Sequence, residues 1–219
     1  MSALERETLR LNRRYVTEVV ERFGLCPWAD RARREGRVTE VVFDQTDPDV
    51  FEPSLARMLE LEEQRTIEVA LFIYPRIGLK RLDFEHFARR LRALDAVHHA
   101  REIVFAIAAF HPEADAVLAS PDRLVPFLRR TPDPTLQLVR ESALTRVRGE
   151  LHGTSFYAPE MFHDPHFGSP PEPDIRERIA RANHETVTRL GVEALEAVFQ
   201  DILRDRDATR ARLAGEPSR

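Results

Sequence analysis

Apolar residues recur along this chain in blocks whose period changes, and the changes mark the elements. From Ala3 to Phe23, residues Leu4, Leu9, Leu11, Val16, Val19, Val20 and Phe23 fall near one face of a helix, with an imperfect period. Gly24 is a natural stop for it. A short second helix is expected from Pro27 to about Glu35, because proline in a first turn sacrifices no hydrogen bond. Gly36 ends that helix, and "RVTEVVF" (Arg37–Phe43), rich in β-branched residues, reads as a strand.

Two helix–strand units follow. A helix from about Asp49 to Gln64 leads into "TIEVALFIY" (Thr66–Tyr74), and one from about Asp83 to Arg101 leads into "IVFAIAAF" (Ile103–Phe110). Nearly continuous apolar strands separated by helices predict an α/β fold, a small and mainly parallel sheet with helices on its faces. The three strands are expected to be neighbours and mutually parallel. "TLQLVRE" (Thr135–Glu141) fits either a fourth strand or the entry to a helix. The proline- and aromatic-rich connection His152–Asp174 is long enough to predict a lid over the carboxyl edge of the sheet. Ile175 to about Leu213 reads as a long, charged C-terminal helix, broken near Gly191. No repeat or linker divides the chain, so 1–215 is expected to form a single α/β domain.

Strand direction determines where chemistry belongs, since open parallel sheets bind ligands beyond the carboxyl ends of their strands. That edge receives His111 after the third strand, and Tyr74 and Arg76 after the second. The short helix, returning along the sheet, would carry Cys26 at its start to the same edge. There the helix N–H groups and a nearby arginine would favour a thiolate; equally, Cys26 suits the part of a small buried hydrophobe. His111 fits a general base, a metal ligand or a structural histidine. Arg129 and Arg130 precede a stiff "TPDPT" turn, and Arg140 precedes Glu141. Such arginines suit a carboxylate or phosphate, or an ordinary arginine–glutamate network. His163 and His166 have a spacing compatible with metal, but without HExxH or paired CxxC they read as incidental surface histidines. There is no GxGxxG, P-loop or GxSxG, so no cofactor is named.

Composition narrows the partners. The 219 residues are 42% hydrophobic, enough for one sizeable core. With 33 basic and 37 acidic residues interspersed, the net charge is −4 and no basic face points to nucleic acid. Lys80 is the only lysine, so the positive charge is almost all guanidinium. A single cysteine excludes an intrachain disulfide and fits a reducing cytoplasm. The first residues are too charged for a signal peptide, and "IVFAIAAF" is too short to cross a bilayer. A soluble cytoplasmic protein, with no nucleic-acid or membrane partner, is expected; nothing in the pattern sets an oligomeric state.

Four stretches, "GLCPWA", "AFHPEADA", "RRTPDPTLQLVRE" and "IARANHETVTRLG", run in order from about Tyr15 to Leu190 and resemble one family. It is the uncharacterised bacterial family called domain of unknown function 1415 (DUF1415). The family pattern is closer to Thr-Asn-Arg-Ser/Ala-Pro-Tyr-Pro, then Leu-His-Leu-Leu-Arg-Glu. Here Leu128-Arg129-Arg130-Thr131 and Asp133 replace part of the first, and Gln137 stands in place of the histidine. The resemblance implies a divergent member and brings no activity with it.

The leading expectation is a small-molecule enzyme whose Cys26, His111 and Arg140 converge on one pocket. Cys26 would be nucleophile or redox thiol, His111 its base, and Arg140 the anchor of a small anionic substrate, oriented by Glu141. Arg76, Arg129, Arg130 and Tyr74 would complete the binding surface. Acyl or amidino transfer, hydrolysis and thiol oxidation all suit a Cys–His pair. A metal-dependent enzyme with Cys26 and His111 as ligands, and a noncatalytic binding or scaffold protein with a buried structural cysteine, are the alternatives.

Overall fold

The structure is a computed structural model that describes residues 1–26, 29–46, 50–98, 104–113, 117, 119–152 and 175–215. It opens with helix α1 (Ala3–Tyr15), whose start carries a capping box. The Ser2 hydroxyl accepts from the Glu5 N–H (3.0 Å), and the Glu5 carboxylate accepts from the Ser2 N–H (3.1 Å). The helix then widens into a π-helical segment, Val16–Glu21. Hydrogen bonds from Arg22 to Thr17 (3.2 Å) and Leu25 to Val20 (2.9 Å) span five residues instead of four. The wider turn changes the period at which side chains return to one face, which explains the imperfect apolar period of this stretch. Gly24, at φ +63°, ends the segment in the left-handed region.

Helix α2 (Ala29–Arg34) leads to strand β1 (Val38–Val42); α3 (Phe51–Glu63) leads to β2 (Val69–Ile73), and α4 (Arg81–His98) to β3 (Phe105–Phe110). After β3 come α5 (Pro121–Leu128), β4 (Thr135–Arg140) and α6 (Glu141–His152). Thr135–Glu141 is therefore both things its pattern allowed: a strand running directly into a helix. The C-terminal helix is broken at the expected place, into α7 (Ile175–Leu190) and α8 (Val192–Gly215). Gly191 makes the break at φ +84°, its N–H still bonded to the Val187 carbonyl at 2.8 Å.

The expectation of a mainly parallel sheet is corrected. The strand order is β1-β2-β4-β3, with β1–β2 parallel and both β2–β4 and β4–β3 antiparallel. The sheet is mixed. β1, β2 and β3 do share one direction, but β4 is inserted between β2 and β3 and runs the other way. The physical reason lies in the chain after β3. α5 and the Thr131–Pro134 turn stay at the carboxyl edge, so the next strand starts there and must return antiparallel.

Two cores result. Phe43, Phe72, Tyr74, Phe105, Ile107, Leu136 and Leu138 point from one face of the sheet against Met58 and Leu61 of α3 and Phe84, Phe87 and Leu91 of α4. Aromatic packing is dense there, with Tyr74 stacked on Phe43 at 5.0 Å and edge-on to Phe84 and Phe87. On the other side, Leu11, Tyr15, Val19, Leu25, Leu124, Phe127, Val187, Leu195, Phe199 and Ile202 join α1, α5, α7 and α8. Glu40 alternates with the core-facing Val41, so it points to this second layer, where the Asn12 amide donates to it at 2.5 Å. Among the described residues, no helix is long and apolar enough to cross a membrane. The lid expected over 152–174, with His163 and His166, lies outside the described residues apart from His152 at the end of α6.

Candidate functional site

Strand direction places the candidate residues at opposite edges. His111, Tyr74 and Arg76 follow β3 and β2 at the carboxyl edge of β1–β3, as expected from the sequence. Arg140 ends the antiparallel β4 and pairs with Phe105, while Thr135 pairs with Phe110. Five residue steps at about 3.4 Å each put Arg140 roughly 17 Å along the sheet from that edge. One pocket does not hold both Arg140 and His111.

At the far edge, Arg140 is occupied by the backbone. Its guanidinium donates to the carbonyls of Ile67 (3.0 Å), Leu61 (2.8 Å) and Gln64 (3.4 Å), and lies 4.8 Å from the centre of the Phe105 ring. It closes the C-terminal end of α3, where helix carbonyls lack intrahelical donors. Burial, with the like charge of Arg65 second, pushes this guanidinium below arginine's ordinary value. Glu141 begins α6, its N–H bonded to the Val104 carbonyl at 3.0 Å.

His111 is buried, with both ring nitrogens engaged. The Glu113 N–H donates to Nδ1 (3.2 Å), which leaves the proton on Nε2, facing the Leu79 carbonyl at 3.1 Å. The neutral ring is thereby fixed in one tautomer. Burial, above all, lowers its pKa from the ordinary histidine value; nearby Arg81 and Lys80 act in the same sense, against the Leu79 carbonyl and Glu113. Phe84 packs against the ring at 6.0 Å. Tyr74 is fully buried and hydrogen-bonded to Ser54 at 2.8 Å, and Arg76 pairs with Asp44 at 2.9 Å.

Cys26 is half-buried and belongs to the other layer. Leu25 before it is buried in the helical core, and the Asn183 amide of α7 donates to the Leu25 carbonyl at 3.2 Å. The Cys26 carbonyl accepts from the Ala29 N–H (3.3 Å). Burial first, and then nearby Cys26, raise the Tyr15 hydroxyl above its ordinary value. Thus Cys26 attaches to the α1/α7 layer, whereas the His111 ring packs with α4.

Arg130 knits the layers together. It donates to the Pro112 carbonyl (3.1 Å), pairs with Glu196 at 2.5 Å and stacks 4.2 Å from the Phe199 ring centre. Arg129, next to it, turns the other way and lines a cleft of about 260 Å³ between α4, α5 and the end of β3. Arg81, Glu85, Arg89 and Arg92 of α4, with Ala109, His111, Val125 and Pro126, complete the lining. Four guanidinium side chains thus meet one carboxylate in the lining. Glu85 is bound to Arg81 at 2.5 Å, and the Arg89 Nε–H reaches the Glu85 backbone carbonyl at 3.4 Å.

Of the residues singled out from the sequence, His111 and Arg129 are brought together here. The α4 arginines were missed, although their signal is present. Positions 81, 85, 89 and 92 recur every three or four residues and so form one helical stripe, beside the core stripe Phe84, Phe87, Ala88 and Leu91. Among the described residues, no group of three or more His, Cys, Asp or Glu side chains could hold a metal ion.

No curated protein and no solved structure matches the chain. The family described as a protein of unknown function (DUF1415) matches residues 7–155, a span that includes Cys26, both cores' first elements, the α4 stripe, His111, Arg129 and Arg140. The chain belongs to the DUF1415 family.

Proposed function

We propose that this protein binds an anionic ligand, carrying carboxylate or phosphate groups, in the cleft between α4 and α5. The observation that carries this reading is the charge of the lining: Arg81, Arg89, Arg92 and Arg129 against Glu85 alone. Guanidinium groups present planar, paired donors suited to such anions, and they retain their charge at any physiological pH. Val125, Pro126 and Ala109 supply an apolar wall opposite the α4 stripe. A concave site with a few convergent polar groups on an apolar wall is the usual form of a ligand site. The cleft, at about 260 Å³, has room for a modest ligand.

The reading does not draw on a Cys26–His111 pair, since both imidazole nitrogens already hold backbone groups. It is a binding function, with His111 fixing the Leu79 and Glu113 segments at the mouth of the cleft. Calorimetric titration with inorganic pyrophosphate at low ionic strength tests it. Saturable binding is expected, weakened at least tenfold in the Arg89→Ala/Arg129→Ala double variant, as the loss of about 1.4 kcal/mol of charge-assisted hydrogen bonding implies. Absence of saturable binding, or an unchanged affinity in the double variant, overturns the reading.

A further inference from the structure

We propose that the outer edge of β3 accepts an extended acidic segment of a partner protein as a fifth strand, its acidic side chains entering the arginine-lined cleft. The inference rests on the cleft being an anion site and names the ligand that fills it.

The first support is the phase of the ladder. The Glu141 N–H bonds the Val104 carbonyl, one step beyond the Arg140–Phe105 pair. In an antiparallel ladder, hydrogen-bonded and non-bonded pairs alternate. Ala106, Ala108 and Phe110 therefore direct their backbone groups to β4, and Phe105, Ile107 and Ala109 direct theirs outward. His111 confirms the phase, since its N–H points outward to the Arg129 carbonyl at 3.0 Å. That bond also closes the carboxyl end of the edge with the end of α5. Phe105–Ala109 remains, and among the described residues no strand pairs with it on that side.

The second support is that β3 itself carries no protective residue. Exposed edges are ordinarily blunted by charge, proline or a covering element. β1, the other edge strand, carries Glu40 at its centre, held by Asn12 and lying 3.8 Å from Arg13 of α1. β3 reads "FAIAAF", with no charge, proline or glycine, and three alanines that let another backbone approach.

The third support is charge complementarity, which selects the occupant. Ile107 and Ala109 face the α4 side of the sheet, the side on which Arg81, Arg89 and Arg92 flank the core stripe. A strand added at this edge would alternate its side chains between the two faces. Every second residue would meet the arginines and should be acidic; those between would lie beside Ala106 and Ala108 and should be apolar. A second copy of this chain fits poorly, because pairing two β3 edges would bring two arginine stripes together.

Three capped hexapeptides test this on the full chain by calorimetry: Val-Glu-Val-Glu-Val-Glu, its analogue N-methylated at every glutamate, and its analogue N-methylated at every valine. Strand addition predicts that the parent binds and that one methylated set loses at least tenfold while the other stays within threefold. Which set is lost reports the orientation of the added strand. Equal effects of the two methylations overturn strand addition. So does failure of the parent to bind a protein that still binds pyrophosphate, which leaves the anion site standing; failure of both probes removes both readings. A concentration-dependent dimer in sedimentation velocity, without peptide binding, would assign the edge to a second copy and overturn the proposal.

Discussion

In the seam between α1 and α8, Arg10 reaches Asp205 at 2.7 Å and Glu7 at 2.7 Å. Arg14 reaches Asp205 at 2.6 Å, Glu18 at 2.8 Å and Asp201 at 2.9 Å. Carboxylates outnumber guanidiniums there. In the cleft between α4 and α5 the proportions are reversed, with four arginines lining it and one glutamate. Both regions present arginine on amphipathic helices, so residue type does not distinguish them. Charge composition does: in the seam, carboxylates joined through two arginines hold two helices together, and the arginine-rich lining of the cleft gives it a positive potential that a ligand can use. Arg140 extends the comparison, as an arginine whose donors are engaged by three backbone carbonyls.

The largest effect is expected at Arg140. Replacing it by leucine takes the donors from the Leu61, Gln64 and Ile67 carbonyls, each worth about 1–3 kcal/mol when buried without a partner. Since water reaches part of this site, a loss of about 2–4 kcal/mol in urea unfolding is expected, with pyrophosphate affinity unchanged. An unfolding midpoint like that of the wild type, together with lost affinity, would return Arg140 to the binding surface.

Next is the seam. Asp205→Asn keeps the shape and removes the charge shared by Arg10 and Arg14, at an expected cost of about 1–2 kcal/mol for a partly exposed, charge-assisted network. Hydrogen bonds first from Arg10 and then from Arg14 hold the Asp205 carboxyl well below the usual carboxylate range. Its stabilisation is therefore complete above about pH 4, the unfolded carboxylate value, and is lost as pH falls toward the depressed one. Urea titrations at pH 7 and pH 3 should show the wild-type advantage over Asp205→Asn shrinking in acid. An advantage that persists at pH 3 breaks the assignment.

A smaller effect belongs to His111, with the pH window moved upward. Burial lowers the pKa of the folded ring, whereas the unfolded chain takes up a proton near pH 6.5. Stability should thus decline as pH falls below about 6.5, and His111→Asn should flatten that slope. A slope identical in the variant assigns the decline to other groups.

Most elements were legible because their apolar periods were long and punctuated: α3, β1, β2 and β3 lie within the expected stretches, and α4 starts two residues before the expected Asp83. Sheet order was not, because "TLQLVR" has the same apolar character whichever way it runs. Only the return of the chain from α5 at the carboxyl edge fixes its direction. The same reversal moved Arg140 away from His111, so one unread strand direction dissolved the expected pocket. His111 was placed correctly at its edge, but its partners are backbone groups of Leu79 and Glu113, which no residue pattern announces. The α4 stripe was legible and unread. Its significance depends on which edge strand lies beneath it.

The smallest effect on stability, and the one that most directly separates the two arginine-rich regions, is expected at Arg89. It is exposed, and its bond to the Glu85 carbonyl is long at 3.4 Å. Arg89→Ala removes a rotamer-rich side chain without breaking a buried contact and places the best helix former in a helix interior. Unfolding free energy should change by no more than about 0.5 kcal/mol in either direction. Removing this lining charge should nevertheless weaken pyrophosphate binding severalfold. It should also reduce the dependence of affinity on ionic strength, since fewer cationic groups face the anion. Arg14→Ala in the seam should do the opposite, lowering stability and leaving affinity and its salt dependence as they were. If Arg89→Ala lowers stability as much as Arg14→Ala and leaves binding intact, the cleft is another structural network, and the distinction drawn from its lining fails.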